Sequence, residues 1–275
     1  MNKKIYAAGA MAALLGLSAC GQLPWTHQSE PDSVQQQKQK SSSSQDGTPK
    51  KNSDANSSKN RVSAMNQNGV HVVADPESTL VLVNKYFQLP DNYVPKDLVD
   101  LDVPFTFSGK SEKKKMRAVA ANPLKEMFTA AKQDGVQLAG VSAYRSHKTQ
   151  VALFNYYVRR DGEKKALKYS ARPGTSEHET GLAIDVSGIN GKYAATQEFG
   201  KTPEAAWLAK HAQDYGFIIR YPEGKENVTG YEHEAWHLRY VGLPAAQKMV
   251  ADDQTLEEYL NTIPVSNKLV KIRVH

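Results

Sequence analysis

The sequence is almost free of cysteine: Cys20 is the only one among its 275 residues. A lone cysteine cannot form a disulfide within the chain. Long apolar runs are also missing, and none reaches the ~18 residues that a membrane-spanning helix requires. Neither sign of charge dominates, because acids and bases are mixed along the chain although the formal net charge is +6. Its charged clusters are therefore predicted to be solvated helix faces, and attraction to an anionic partner is weakly supported.

The first twenty residues have the pattern of an export signal. Lys3 and Lys4 precede a short apolar run of mostly small residues, as in the n-region and h-region of a secretory signal. The run ends in Leu-Ser-Ala-Cys followed by Gly, which resembles a bacterial lipobox. We expect a lipoprotein signal peptide at residues 1–20 and a lipid on Cys20, so that the chain is extracytoplasmic, is anchored to the cell membrane and faces the cell wall. The alternative is an ordinary signal that ends by chance in cysteine.

Residues 21–70 are rich in Ser, Gln and Lys and contain almost nothing to bury. We predict a disordered linker, because such a composition cannot compensate the entropy lost on folding. A coil of about 50 residues has an end-to-end distance on the order of 40 Å, which suits a tether. Export also disfavours nucleic acid as a partner.

The remainder of the chain is predicted to be folded, in two parts. Residues 71–110 are assigned to an N-terminal arm or subdomain, with one apolar strand at Leu80–Val83 and extended segments interrupted by prolines. Residues 111–275 are assigned to the main domain. Strand and helix patterns alternate irregularly there, which favours an α+β fold over a doubly wound sheet.

The main domain has several strong local signals. A helix is predicted from Ser111, with Met116 on its apolar face and an interruption at Pro123. The next helix is predicted to begin after the N-cap Ser146 and to end at Gly162. Apolar periodicity predicts strands at 136–144, 180–188 and 217–222, and helices at 202–216, 243–250 and 255–263.

One histidine, His178, lies in the segment "RPGTSEHETG", whose glycines indicate that the backbone approaches another group closely. Further along, Asp185 lies on the opposite strand face from three apolar neighbours, so it is predicted to face a cleft. A carboxylate in such a strand needs a cation or hydrogen-bond donors. Together with a later histidine, this pair would make a three-ligand zinc set with one open position. The alternative is a hydrogen bond between histidine and aspartate without a metal.

The segment "YEHEAWHLRY", residues 231–240, contains two overlapping metal signatures. As H-E-x-x-H it would need a helix, so that His233 and His237 share one face. As E-x-W-H it uses His237 alone as a ligand and Glu234 as a base. The aromatic and branched residues favour a strand, in which Glu234 and His237 point to opposite faces unless a bulge intervenes. The helical interpretation would take its third ligand downstream, from Glu257 or Glu258.

Three blocks in order, "SAYRSHKTQ", "SEHETGLAIDVS" and "EAWHLRYVG", resemble the signature blocks of the VanY-type zinc carboxypeptidases and of the LD-carboxypeptidases in the same group. The resemblance extends over roughly residues 75–250. It implies a zinc peptidase of the hedgehog-like fold, in which a small antiparallel sheet with flanking helices holds one zinc ion. It also implies that the substrate is a peptidoglycan stem peptide, which loses a terminal D-alanine from a D-Ala-D-Ala bond or from a bond between an L-residue and D-Ala.

The resemblance also implies roles for individual residues. His178, Asp185 and His237 match the zinc ligands of the family, and Glu234 matches the catalytic base. Arg145 matches the arginine that engages substrate near the scissile bond. Further positions complete the expected substrate site: Gln150 and Ser176 match residues that hold substrate, and Tyr144 either shapes the pocket or packs in the core.

Two other functions stay open at this stage. A helical H-E-x-x-H endopeptidase would need His233 as a ligand and would leave Asp185 without a role. A non-catalytic lipoprotein that binds the cell wall would use zinc only structurally. Glu234 beside an open zinc position argues against the second alternative, because structural zinc sites are closed by four protein ligands.

Overall fold

The structure is a computed structural model that describes residues 62–66 and 69–262. All of these described residues belong to one compact unit. The predicted signal peptide, Cys20 and most of the predicted linker lie outside the described residues. In the described part of the chain, no helix combines the length and the apolar character that crossing a membrane would demand.

The described residues form nine strands and seven α-helices. The strands are β1 (Val62–Met65), β2 (His71–Val73), β3 (Phe87–Gln88), β4 (Leu98–Asp100), β5 (Lys115–Arg117), β6 (Leu138–Ser142), β7 (Ala183–Gly188), β8 (Phe217–Tyr221) and β9 (Glu234–Tyr240). The helices are α1 (Ala118–Gln133), α2 (His147–Asp161), α3 (Glu163–Ala166), α4 (Pro203–His211), α5 (Glu226–Thr229), α6 (Leu243–Ala251) and α7 (Leu256–Tyr259).

The central sheet has four strands in the order β6-β7-β9-β8, and each neighbouring pair is antiparallel. Helices α1, α4 and α6 contact this sheet, and the apolar side chains at these contacts form the core. Fully buried members of the core are Leu124, Ile184, Leu208, Leu238 and Met249. Burial of each such side chain contributes roughly 1.5–3 kcal/mol. The predicted α+β class, with a small antiparallel sheet and flanking helices, is confirmed.

Both predicted ends of α2 and the predicted start of α4 are confirmed, whereas α4 ends at His211 and continues as a 3-10 helix to Tyr215 before Gly216. The hydroxyl of Ser146 accepts a hydrogen bond from the Thr149 amide at the start of α2, and Gly162 follows its last residue with φ +78°. Thr202 caps α4 in the same way. These caps occupy amide groups that would otherwise have no partner at the helix ends.

The arm and the end of the linker each differ from the prediction in one place. Leu80–Val83 is not a strand, although Val81, Leu82 and Val83 are buried. β1 lies within the predicted linker, where it pairs antiparallel with β2. A strand that depends on a partner elsewhere in the chain cannot be recognised from its own composition, and here the predicted start of order at residue 71 was too late.

The helix predicted from Ser111 was also wrong in part. Residues 112–114 form one turn of 3-10 helix, Met116 lies in β5 opposite Val99, and α1 begins only at Ala118. Pro123 lies inside α1 and does not interrupt it. It removes the donor for the Val119 carbonyl, and Val119 is 41% exposed, so water can replace that donor.

Candidate metal centre and cleft

His178 is held in a 3-10 turn, Glu177–Thr180, immediately before β7. Gly181 ends this turn with φ +68°, and a Cβ there would lie 2.9 Å from side-chain atoms of Arg117 and Leu98. The close approach expected from the glycines is therefore present. His178 is buried, and its Nδ1 lies 2.7 Å from the carbonyl oxygen of Ala143. Because a carbonyl only accepts, Nδ1 carries the hydrogen and Nε2 keeps a free lone pair.

Asp185 and His237 are direct neighbours across β7 and β9 in the antiparallel register. The Oδ1 of Asp185 lies 3.1 Å from Nδ1 of His237, and its Oδ2 lies 3.3 Å from Nε2 of His178. One ligand atom from each of the three residues lies within 4.8 Å of the others. The sheet register thus brings together the three residues that the sequence suggested as ligands.

A bulge in β9 brings Glu234 to the same side of the sheet as His237. Ile219 pairs with Leu238 and Tyr221 pairs with Glu234, so one residue on β8 faces three residues on β9. The irregular pairing breaks the regular strand geometry at this point, and the Oε2 of Glu234 lies 3.8 Å from Nδ1 of His237. The bulge that the E-x-W-H interpretation required is present.

The surroundings of Glu234 and Asp185 shift the pKa values of their carboxyl groups in opposite directions. Burial raises the pKa of Glu234 to about 7, and His237 only partly opposes this effect. Burial would also raise the pKa of Asp185, but His178 and His237 outweigh it and hold that pKa well below its usual range. Burial lowers the pKa of His178, which favours the neutral, ligating form of its ring. Asp185 therefore stays a carboxylate, whereas Glu234 can both take up and release a proton near neutral pH.

The donor set fits zinc. Two imidazole nitrogens and one carboxylate oxygen are ligands that zinc prefers, and three protein ligands leave the fourth position open, as in catalytic zinc sites. Both histidines also have a partner at the ring nitrogen that faces away from Asp185. Such partners orient ligating histidines in metal sites.

A cavity of about 510 Å³ opens over the cluster. Its walls include Arg145 and Ser176, together with the aromatic side chains of Tyr157, Tyr169, Tyr221, Tyr231 and Trp236. The volume is typical of a site for a small ligand or a peptide end.

Two residues expected in the substrate site, Tyr144 and Gln150, lie behind the cleft wall. Tyr144 is 5% exposed and does not line the cavity. Gln150 is fully buried: it accepts a hydrogen bond from Nη1 of Arg145 at 2.9 Å and donates one to the Ala171 carbonyl at 2.7 Å. Gln150 therefore positions Arg145 and does not itself contact the cleft.

The helical H-E-x-x-H interpretation is wrong, because Glu234–Tyr240 is a strand. His233 does not line the cavity, and its carbonyl oxygen accepts a hydrogen bond from Gln197. The downstream glutamates are engaged elsewhere: Glu257 pairs with Arg220, and Glu258 completes the capping box of α7.

Sequence reasoning missed Glu177, which contacts His237 from behind. Its Oε2 lies 3.4 Å from Nε2 of His237. Burial alone would raise the pKa of Glu177, but Arg220 and Arg239 hold it well below the usual range. The available signal was the presence of these two arginines within apolar strands, since a buried guanidinium requires an acidic partner.

The sequence model of the VanY family, described as D-alanyl-D-alanine carboxypeptidase, matches residues 113–243, which include the whole cluster. The putative carboxypeptidase YodJ of Bacillus subtilis is 48% identical over 195 residues, which are 71% of each chain.

Two solved structures are similar to this fold. LdcB, an LD-carboxypeptidase described in terms of peptidoglycan recognition, is 46% identical with a TM-score of 0.70, over 74% of this chain and 94% of LdcB. The vancomycin resistance D,D-pentapeptidase VanY, solved with Zn(II), is 33% identical with a TM-score of 0.55, over 66% of this chain and 99% of that one.

Proposed function

The chain belongs to the VanY family of D-alanyl-D-alanine carboxypeptidases, and from that premise we propose that it is a zinc carboxypeptidase that removes the terminal D-alanine from peptidoglycan stem peptides. One observation carries the proposal: His178, Asp185 and His237 converge at the floor of a cleft, with Glu234 beside them. In this proposal the three converging residues hold one zinc ion. When bound, zinc supplies a Lewis acid that polarises a carbonyl group and acidifies water.

Glu234 is the proposed catalytic base. Its carboxyl group is largely buried and has a pKa of about 7, so it can take the proton of the attacking water and return it to the leaving amine. A carboxylate of ordinary pKa would be a weaker base at neutral pH.

Arg145 is the proposed substrate cation. Gln150 accepts a hydrogen bond from one nitrogen of its guanidinium, which fixes the group at the cleft wall. The remaining N–H groups suit the terminal carboxylate of a peptide or the oxyanion of the reaction, since a guanidinium is always charged and forks onto carboxylates. Ser176 lines the same cavity and is a further proposed substrate contact.

The bond that is cleaved is either D-Ala-D-Ala or the bond between an L-residue and D-Ala. The higher identity to LdcB, 46% against 33% for VanY, favours the second bond. The family itself is described by the first.

The test is alanine release by the purified full-length protein, offered a stem pentapeptide and a stem tetrapeptide in parallel. We expect release that stops when a chelator removes the metal and returns when zinc is added. Release from the tetrapeptide shows L,D-specificity, whereas release from the pentapeptide alone shows D,D-specificity. If zinc is bound but neither peptide is cut, the carboxypeptidase proposal is overturned in favour of a cell-wall-binding lipoprotein.

Attachment to the membrane is a further part of the proposal. The lipobox-like sequence before Cys20 supports a lipid on its sulfur, and residues 21–70 would then tether the enzyme near the cell wall. Growth with alkyne-tagged palmitate should label the wild-type protein but not a Cys20→Ser variant. Equal labelling of both proteins, or none of either, would contradict the anchor.

A further inference from the structure

A row of buried charged side chains lies behind the metal centre. Glu177, Arg220, Arg239 and Glu257 each have fully buried side chains. Taking four charged groups out of water costs several kcal/mol for each, which only close pairing can offset. The steps assigned above to Glu234 and Arg145 use none of these four residues.

Glu177 uses its two oxygens differently. Its Oε1 accepts hydrogen bonds from Nε of Arg220 at 2.7 Å and from Nη1 of Arg239 at 2.8 Å. Its Oε2 lies 3.4 Å from Nε2 of His237. One oxygen therefore anchors the carboxylate, and the other faces the ring of the proposed zinc ligand.

The two arginines are themselves fixed on their far sides. The Nη atoms of Arg220 pair with both oxygens of Glu257, at 2.7 and 2.9 Å. Nη2 of Arg239 donates to the carbonyl oxygens of Thr79 and Val81, at 2.9 and 2.7 Å. Residues from the arm and from α7 thus hold the guanidinium groups that hold Glu177.

His237 presents a different nitrogen to each neighbour. Nδ1 faces Asp185 at 3.1 Å, and Nε2 faces Glu177. His178 shows the same division, with Nδ1 on the Ala143 carbonyl and Nε2 near Asp185. In each ring one nitrogen faces the ligand cluster and the other faces an acceptor, which is how outer partners set the tautomer of ligating histidines.

We propose that Glu177 is the positioning residue of the metal centre: it accepts the hydrogen on Nε2 of His237 and fixes the ring, so that Nδ1, which faces the ligand cluster, is the nitrogen at which zinc would replace a proton. The proposal rests on the proposed function, because it takes His237 to be a zinc ligand. Arg220 and Arg239 keep Oε1 occupied, so that Oε2 alone is directed at His237.

Replacement of Glu177 by glutamine has a specific consequence. The two arginines can only donate, so the amide oxygen of the glutamine would turn toward them. Its NH2 group would then point at Nε2 of His237, which would favour a lone pair on Nε2 and a hydrogen on Nδ1. Binding of zinc at Nδ1 would then work against this hydrogen bond, which should weaken the binding.

The experiment compares Glu177→Gln with Glu257→Gln in the full-length protein. Both changes remove one charge from the same buried network and weaken a contact with Arg220, but only the first reaches His237. Zinc affinity is measured by competition with a chelator of known affinity, and the visible spectrum of the cobalt-substituted protein reports the ligand arrangement. We expect Glu177→Gln to weaken zinc binding by about 10–100-fold and to change the cobalt spectrum. Glu257→Gln should lower stability to unfolding but change both readouts far less, because Arg220 and Arg239 still hold the carboxylate of Glu177 beside His237.

Equal zinc affinity and equal cobalt spectra in the two variants would overturn the positioning role and leave a structural ion pair. If Glu177→Gln does not fold, Glu177→Asp serves instead, because it keeps the charge beside both arginines and only shortens the reach to His237. Weaker zinc binding by this variant supports the role, and wild-type affinity overturns it. If the wild-type protein binds no zinc, the proposed function is overturned as well. If the wild-type protein binds zinc and releases alanine, a negative result with the variants overturns only the positioning role of Glu177.

Discussion

Replacement of Glu234 by glutamine is expected to slow alanine release by about 10²–10⁴-fold, the usual contribution of a positioned acid–base group. The amide keeps the size of the side chain but cannot take up a proton. Because Glu234 is not one of the three converging ligands, zinc binding should be retained. Initial rates of alanine release and the zinc content of the purified variant check the two parts of this prediction.

A matched control is Glu223→Gln, which changes an exposed glutamate in the turn after β8 that does not line the cavity. It should release alanine at the wild-type rate. If Glu234→Gln retained activity as well, the base would have to be another group. If it lost both zinc and activity, Glu234 would be a ligand.

A pair of alanine substitutions is expected to distinguish the two metal signatures in residues 231–240 by their effects on zinc binding and activity. Asp185→Ala is expected to lose zinc and activity together, and His233→Ala to keep both. Asp185 lies between the rings of His178 and His237, so its loss removes a ligand and the charge that the two rings share. The loss of zinc affinity should exceed the ~10–100-fold that removal of an outer partner alone costs.

Zinc content after gel filtration and alanine release would be measured for both variants. If the His233→Ala variant lost zinc while the Asp185→Ala variant kept it, the H-E-x-x-H assignment would be restored. That result would contradict the strand geometry of β9. The two substitutions both end in alanine, so a general effect of truncation would appear in both.

The group of three proposed metal ligands could be predicted from the sequence because its residues lie on or next to strands with clear apolar patterns. Asp185 interrupts the apolar run of β7, and His178 lies in the glycine-containing turn before it. The need for a bulge followed from the alternation of side chains along a strand, which places residues three positions apart on opposite faces. Its size, two extra residues on β9, depends on the pairing with β8 and could not be obtained from β9 alone.

Other features depended on partners far away in the sequence. β1 forms a strand because β2 lies beside it. Val81 can be buried without strand structure because its carbonyl oxygen accepts a hydrogen bond from Arg239. Glu177 lies in the turn before β7, and only the folded sheet brings Arg220 of β8 and Arg239 of β9 against it. Local propensity contains no information about such contacts.

The contacts behind the proposed metal ligand join the N-terminal arm to α7. Asn84 donates to Glu257 over a separation of 173 residues, and Glu257 in turn pairs with Arg220. Contacts of such long range make folding slow, because the loop between the partners must close before they contribute. In a nascent chain that lacks α7, Arg220 would pair with Glu177 but would lack its second acidic partner, Glu257. We therefore expect the catalytic centre to mature only after synthesis of α7, so that a chain truncated before residue 256 would be folding-incompetent as well as inactive.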